Sequence, residues 1–152
     1  MKISKIMTRS PGTCSPGDTL AAAAETMRRF DCGMVPVVEG TRVIGTVTDR
    51  DIALAALRSG AALDTIPVSD AASKDPAVCS PSDKVEKAIS KMKKRRVRRL
   101  PVVDHDGVLV GVISIADIAA ASKKNKKLRK KLLSALREIS APRPIVLTEI
   151  AG

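Results

Sequence analysis

The chain has 152 residues, a formal net charge of +11 and 44% hydrophobic residues, so it is one domain's length with enough apolar material for a core. No apolar run reaches the roughly 18 residues of a transmembrane helix, and the start of the chain lacks the apolar segment of a secretory signal. Phe30 is the only aromatic residue, so we expect aliphatic side chains, not an aromatic platform, to hold any bound base. Cys14, Cys32 and Cys79 have no CxxC spacing, which indicates reduced thiols in a cytoplasmic protein.

The positive charge is concentrated in two windows, residues 91–99 and 123–131, each with seven Lys or Arg. Together they hold about half of the 27 basic residues. The basicity is therefore local and indicates an anionic partner, such as nucleic acid, a membrane surface or an acidic protein.

Residues 3–53 return 65 or 66 residues later, most visibly as Pro-Val-Val tripeptides at 36–38 and 101–103. The offset changes by one in a predicted turn, where a duplicated fold tolerates an insertion because connections lie at the surface. Units of roughly sixty residues are marginal alone, so we expect the two repeats to pack on one another and share a cleft. The expected boundaries are 1–66, 67–122 and a final segment at 123–152.

Each repeat is predicted to run strand, helix, strand, strand, helix. Ser15 and Ser80 each precede a proline and are expected to cap the first helices, with Asp18 and Asp83 near the positive end of the helix dipole. Apolar residues then follow at helical spacing: Leu20, Ala24, Met27 and Phe30 in the first repeat, and Val85, Ile89 and Met92 in the second.

Short apolar runs after these helices predict one hairpin in each repeat, at 34–38 with 42–47 and at 100–103 with 108–113. Second helices are expected at about 49–58 and 115–122. A basic helix is predicted at 123–139, followed by a proline-rich break at 141–144 and an edge strand at 145–150.

A hydroxyl residue stands three positions before an aspartate where each hairpin turns into the next helix: Thr48 with Asp51, and Ser114 with Asp117. The hydroxyl and the first N–H groups of a helix can receive a phosphate, and the carboxylate can accept both hydroxyls of a ribose. The same spacing is also that of a capping box, which needs no ligand. Duplication copies caps and ligand sites alike, so the sequence leaves both interpretations open.

The repeat resembles the cystathionine β-synthase (CBS) domain, and the tandem pair resembles a Bateman module of the stand-alone bacterial type. The resemblance covers about residues 1–122. It rests on the order, spacing and duplication of three motifs: the Ser-Pro-x-Asp segment, the Pro-Val-Val strand and the closing Gly-x-apolar-Thr/Ser-x-x-Asp-Ile. It implies a mixed α/β (α+β) fold of two β-α-β-β-α repeats with pseudo-twofold symmetry, followed here by a basic helical tail.

The resemblance also implies a regulatory module for AMP, ADP, ATP or S-adenosylmethionine, with no required cofactor, and a homodimer. In this family the closing-motif residues meet phosphate and ribose, here Thr48 and Asp51 or Ser114 and Asp117. Adenine is expected near apolar residues and backbone, here Gly12, Thr13 and Val35, or Ala77, Val78 and Leu100.

Phosphate-binding basic residues of the family often stand just before the Pro-Val-Val strand. Arg98 and Arg99 occupy this place in the second repeat, where the first has Gly33 and Met34. We therefore expect the Thr48/Asp51 site to borrow one of these arginines across the cleft and to rank above the Ser114/Asp117 site. Arg50 is a further phosphate candidate; the alternative for all three arginines is solvated surface charge.

Three functions stay open: an adenosine-ligand sensor, a nucleic-acid or anionic-surface binder acting through the basic windows 91–99 and 123–131, and a structural interaction module with empty clefts. No Walker glycine loop, GxGxxG or nucleophile–base set is visible, so no enzyme is expected. The single histidine, His105, is predicted to lie in a surface turn and to bind no metal.

Overall fold

The computed structural model describes residues 1–144, and both repeats have the expected β-α-β-β-α order. The first comprises β1 (Thr8–Arg9), α1 (Leu20–Phe30), β2 (Met34–Glu39), β3 (Arg42–Thr48) and α2 (Asp49–Ser59). The second comprises β4 (Ser73–Lys74), α3 (Val85–Arg95), β5 (Arg99–Val103), β6 (Leu109–Ser114) and α4 (Ile115–Ala121). Helix α5 (Lys126–Ser140) follows, and the predicted edge strand at 145–150 lies outside the described residues.

The predicted starts of the first helices were wrong by several residues. Helix α1 begins after Thr19, whose hydroxyl accepts a hydrogen bond from the Ala22 N–H, and α3 begins after Lys84. The Ser-Pro segments form turns instead: the Ser15 N–H donates to Asp18 Oδ2 at 2.8 Å, and Ser80 repeats this bond with Asp83. Each aspartate therefore closes a turn ahead of the helix, which mimics the sequence pattern of an N-cap.

The apolar stripes of α1 and α3 face the cores with one exception. Leu20 and Met27 of α1 are buried, as are Val85, Ile89 and Met92 of α3. Phe30, at the end of α1, keeps 49% of its surface exposed and does not join the core.

The two repeats exchange their first strands. The sheet order is β1-β6-β5 on one side and β2-β3-β4 on the other, so each antiparallel hairpin takes its third strand from the other repeat. The predicted hairpins are confirmed, and each contains a register shift at the same place, between Val37 and Val38 and between Val102 and Val103. The repeats are thus interlocked about a pseudo-twofold axis.

Two glycines permit this exchange. A Cβ atom on Gly111 would lie 2.8 Å from the Thr8 carbonyl oxygen, and one on Gly45 would lie 2.7 Å from that of Ser73. Both distances are too short for a real side chain. These closing-motif glycines therefore allow close backbone approach between strands.

Each repeat has its own apolar core, and the segment that precedes the other repeat in the chain contributes to it. Ile3 and Met7 are buried with the second repeat, next to Val85 and Met92, while Ile66 and Val68 are buried with the first. The two hairpins meet at their turns, where the Leu109 N–H donates to the Thr41 carbonyl at 3.0 Å.

Helix α5 is an integral part of the second repeat. Leu128, Leu132, Ala135 and Ile139 are buried in its core against α3 and α4. The Asn125 side chain caps its start by accepting from the Leu128 N–H at 3.0 Å. No helix within residues 1–144 is long and apolar enough to cross a membrane.

Candidate functional site

A pocket of about 260 Å³ opens between the two repeats, where the chain leaves β1 and crosses to the first repeat. Pro11 and Gly12 lie on this crossing; Cys14 then joins the first sheet, its N–H donating to the Pro36 carbonyl at 3.1 Å. The pocket is lined by residues of both repeats: Thr8, Pro11, Gly12, Phe30, Asp31, Cys32, Met34, Arg99, Val112, Ser114, Ala116 and Asp117.

Asp117 and Ser114 form a capping box at the pocket. The Ser114 N–H donates to Asp117 Oδ2 at 2.8 Å, and the Ser114 hydroxyl accepts from the Asp117 N–H at 3.2 Å. The Ser114 hydroxyl also lies 2.7 Å from Oδ2 as a donor. All side-chain bonds that Asp117 makes within residues 1–144 use Oδ2, so Oδ1 is left to accept from a ligand. Capping and ligand binding are therefore compatible at this residue.

Arg99 brings positive charge to the same pocket. It lies at the start of β5, paired in register with Ser114. A Cβ atom on Gly33 would lie 3.2 Å from Arg99 Nη1 and 3.1 Å from Asp49 Oδ2. The missing side chain at Gly33 thus leaves room for both the Arg99 guanidinium and the Asp49 carboxylate.

The pocket has an aromatic wall, which corrects the expectation that none was available. The Phe30 ring packs over Gly12, since a Cβ atom on that glycine would lie 2.7 Å from Phe30 Cδ2. Helical spacing had placed Phe30 on the core-facing stripe of α1. Phe30 is the last helical residue, just before the left-handed Asp31, and its ring leaves the core to pack on the crossing segment.

Asp31, Cys32 and Met34 complete the first-repeat side of the pocket, and the sequence did not identify them. They follow the end of α1 and enter β2, a place with no recognisable binding motif. Only the packing of the two repeats brings this segment opposite Ser114 and Asp117.

Thr48 and Asp51 have the same local geometry but are not among the residues that line this pocket. The Thr48 N–H donates to Asp51 Oδ2 at 2.9 Å, and Thr48 Oγ1 accepts from the Asp51 N–H at 3.1 Å. Arg50 is exposed on the first turn of α2. One of the two arginines Arg98 and Arg99 was expected to serve this site, and Arg99 lines the Asp117 pocket.

The remaining candidate residues are dispersed. Val35 and Leu100 are 0% and 1% exposed and belong to the apolar cores. Arg98 Nη2 lies 3.5 Å from Ser140 Oγ of α5. Thr13 is exposed, Ala77 packs against the second core and the Val78 carbonyl accepts from the Lys91 ammonium.

His105 lies in an exposed turn, as expected, with Nε2 3.1 Å from Asp106 Oδ2. The three cysteines are free thiols, and Cys14 and Cys79 are buried. Burial raises the pKa of Cys79 to about 11, and burial followed by the nearby Asp18 carboxylate raises the pKa of Cys14 to about 11. These two thiols stay protonated near neutral pH.

The chain belongs to the CBS domain family. The family model for the CBS domain matches residues 3–58 and 68–124, so both repeats are covered. The interlocked fold and the inter-repeat pocket therefore belong to a CBS domain pair.

Three comparisons indicate the range of the family. The CBS domain-containing protein YhcV from Bacillus subtilis is 37% identical over 120 residues, covering 79% of this chain and 84% of that protein. Hypoxic response protein 1 from Mycobacterium tuberculosis is 33% identical over 103 residues, covering 67% of this chain and 71% of that protein. The structure of the CBS domain protein PAE2072 from Pyrobaculum aerophilum complexed with AMP has a TM-score of 0.74 and 26% identity, covering 88% of this chain and 99% of that one.

Proposed function

We propose that this protein is a regulatory module that binds an adenosine-containing ligand in the pocket of Asp117. The observation that carries the proposal is the assembly of three unlike groups from two repeats around one cavity: a carboxylate with an available oxygen, a guanidinium and an aromatic ring. A nucleoside presents the matching features, which are a ribose diol, an attached group at the 5′ position and a flat base.

Each group has a role in this proposal. Asp117 Oδ1 accepts from the ribose hydroxyls while Oδ2 keeps the start of α4 in place. Phe30 offers an apolar face to the base. Arg99 offers planar N–H donors to an anion attached at the 5′ carbon.

The AMP complex of PAE2072 supports the ligand class, because that protein shares the fold along most of both chains. Binding between two interlocked repeats also suits a sensor, since a ligand that contacts both repeats favours the arrangement that it bridges. We propose a regulatory, non-catalytic role, a homodimer, and the cytoplasm as compartment on the basis of the free thiols.

Calorimetry with AMP tests the assignment of the pocket. Asp117→Ala should weaken AMP binding about tenfold or more, because the ribose hydroxyls no longer have a charged carboxylate to donate to. Asp51→Ala is the matched control, since it removes the same capping box from the other repeat. Melting temperatures should fall alike in both variants. If AMP binds the Asp117 variant as tightly as the unchanged protein, the pocket assignment is wrong.

The basic windows favour a second candidate function, the binding of nucleic acid. The structure shows that the two windows differ in how far their charges are engaged within the chain. Residues 91–99 are largely engaged within the chain: Lys93 lies 3.4 Å from Glu138, Arg95 lies 3.6 Å from Asp75, and Arg96 donates to the Glu138 carbonyl. Among residues 1–144, no carboxylate lies within 4.0 Å of a basic group of 123–131. These seven cations surround the positive end of α5.

We therefore propose residues 123–131 as the polyanion-binding surface. Replacing Lys130 and Lys131 by Gln should lower the slope of log affinity against log salt by about 2 for a DNA duplex, because each lysine neutralises one phosphate. Lys94→Gln, in the other window, should change the slope little. Substitution is preferable to removal of 123–152, because α5 carries part of the core. A salt slope that is unchanged by the double substitution would contradict the proposal.

A further inference from the structure

The charges that line the Asp117 pocket are predominantly negative. Asp31 and Asp117 contribute carboxylates and Arg99 contributes the one cation among the lining residues, so the lining has a formal charge of minus one. A chain of phosphates would have to enter this field against two carboxylates.

We propose, resting on the function proposed above, that this pocket selects adenosine ligands with a positive charge near the 5′ carbon over nucleoside polyphosphates. The chemical class is an adenosyl sulfonium that carries an amino acid, of which S-adenosylmethionine is the available example. Such a ligand has two cationic groups and one carboxylate, so its net charge is opposite in sign to that of the pocket lining. Its carboxylate matches Arg99, and its cations match Asp31.

Phe30 favours the same class. Its ring is 49% exposed and held against Gly12 at the pocket. The face of an aromatic ring attracts a cation within about 6 Å, as aromatic sites for quaternary ammonium groups do. A sulfonium is a comparable soft cation, whereas a phosphate gains nothing from the electron-rich face of the ring.

The negative character is specific to this pocket and is not shared by the repeat-related positions. The duplication relates Phe30 to Arg95, Asp31 to Arg96 and the small Ala116 to Arg50. Three positions that are aromatic, acidic or neutral here are therefore arginines in the other half. The two halves of the module have diverged in charge, so we infer that they do not share one ligand preference.

Cys32 reports on this pocket alone, because it lines the cavity and is partly exposed. We would measure the rate of Cys32 alkylation by mass spectrometry against the concentration of S-adenosylmethionine, 5′-methylthioadenosine, AMP or ATP. Half-protection by S-adenosylmethionine should need a concentration about tenfold or more below that of ATP. Methylthioadenosine is uncharged, so its half-protecting concentration should lie between those of S-adenosylmethionine and ATP.

Asp31→Asn tests the cause of the selectivity. Asp31 has φ of 48°, a conformation that asparagine also adopts readily, so the variant keeps the backbone while losing the charge. The ratio of the ATP concentration to the S-adenosylmethionine concentration that half-protects Cys32 should fall at least about threefold. Phe30→Leu should weaken the binding of S-adenosylmethionine more than the binding of methylthioadenosine. Asp106→Asn, an exposed carboxylate in a turn, is the control and should leave the ratio unchanged.

The outcomes separate the two proposals. If no adenosine compound protects Cys32, the proposed function of the pocket fails. If all four protect equally, or ATP protects best, the selectivity is refuted while adenosine binding stands. An unchanged ratio in Asp31→Asn would also overturn the selectivity argument.

Discussion

Asp51 and Asp117 show how one local geometry permits two roles. Both accept the N–H of the hydroxyl residue three positions earlier, at 2.9 Å and 2.8 Å. Asp117 in addition lines a cavity opposite residues of the other repeat. The capping interpretation is therefore correct for both residues, and it excludes a ligand at neither, because a carboxylate has a second oxygen.

The three thiols should differ sharply in reactivity. Cys14 and Cys79 are 4% and 1% exposed, and burial raises the pKa of each to about 11. The thiolate is the reactive form, so iodoacetamide at pH 8 should modify one site in the folded protein, Cys32. Peptide mass mapping would show this.

Denaturant provides the control for this prediction, because all three thiols should react once the chain is unfolded. Modification of Cys14 or Cys79 at a rate similar to that of Cys32, without denaturant, would contradict the buried positions of these residues.

At the scale of elements, the segment before β1 acts as part of the second repeat. The Ile3 N–H donates to the Asp83 carbonyl at 2.9 Å, and the Val85 N–H donates to the Met1 carbonyl at 3.0 Å. The repeat-related Val68 makes the same bond to the Asp18 carbonyl at 2.7 Å. Each repeat thus depends on a short segment that precedes the other one in the chain.

Ile3→Ala should therefore destabilise the protein although the residue is close to the start of the chain. Ile3 is 0% exposed in the second core, and truncation of a buried isoleucine costs about 2–5 kcal/mol of unfolding free energy. Urea denaturation followed by circular dichroism would measure it.

Ile44→Ala is the matched control, because Ile44 is 38% exposed on β3. Its truncation should lower the free energy of unfolding much less. A destabilisation for Ile3 as small as that for Ile44 would mean that residues 1–9 do not hold the second repeat together.

Helix starts were the elements least accessible to sequence reasoning. Ser15 with Asp18 has the residue types of a cap, yet the structure uses them for a turn and begins α1 after Thr19. Turns and caps satisfy the same backbone N–H groups with the same side chains, so the local pattern does not distinguish them.

For the whole molecule, the exchange of strands decides where the pocket lies. Residues 8–9 pair with β6 of the second repeat, and the chain reaches the first sheet at Cys14. The intervening Pro11 and Gly12 must therefore pass between the repeats, and they line the pocket there. A ligand bound at this crossing would contact both repeats, which is the physical basis of the regulatory role proposed above.

The sequence alone determined the duplicated β-α-β-β-α architecture, the two hairpins, the basic helix and the two Thr/Ser–Asp pairs. These features depend on hydrophobic periodicity, turn residues and short-range spacing, all of which are written locally in the chain. It also identified Gly12, Arg99, Ser114 and Asp117 as candidates, and the structure brings these four together.

Only the tertiary structure decided which aspartate lines the inter-repeat pocket, that Phe30 forms a wall of it, and that Asp31, Cys32 and Met34 complete it. These facts depend on residues that are far apart in the sequence, such as Gly12 and Asp117, and their proximity leaves no local pattern. The direction in which a side chain at the end of a helix points is set by what packs beside it, and for Phe30 that neighbour is a glycine on the crossing segment.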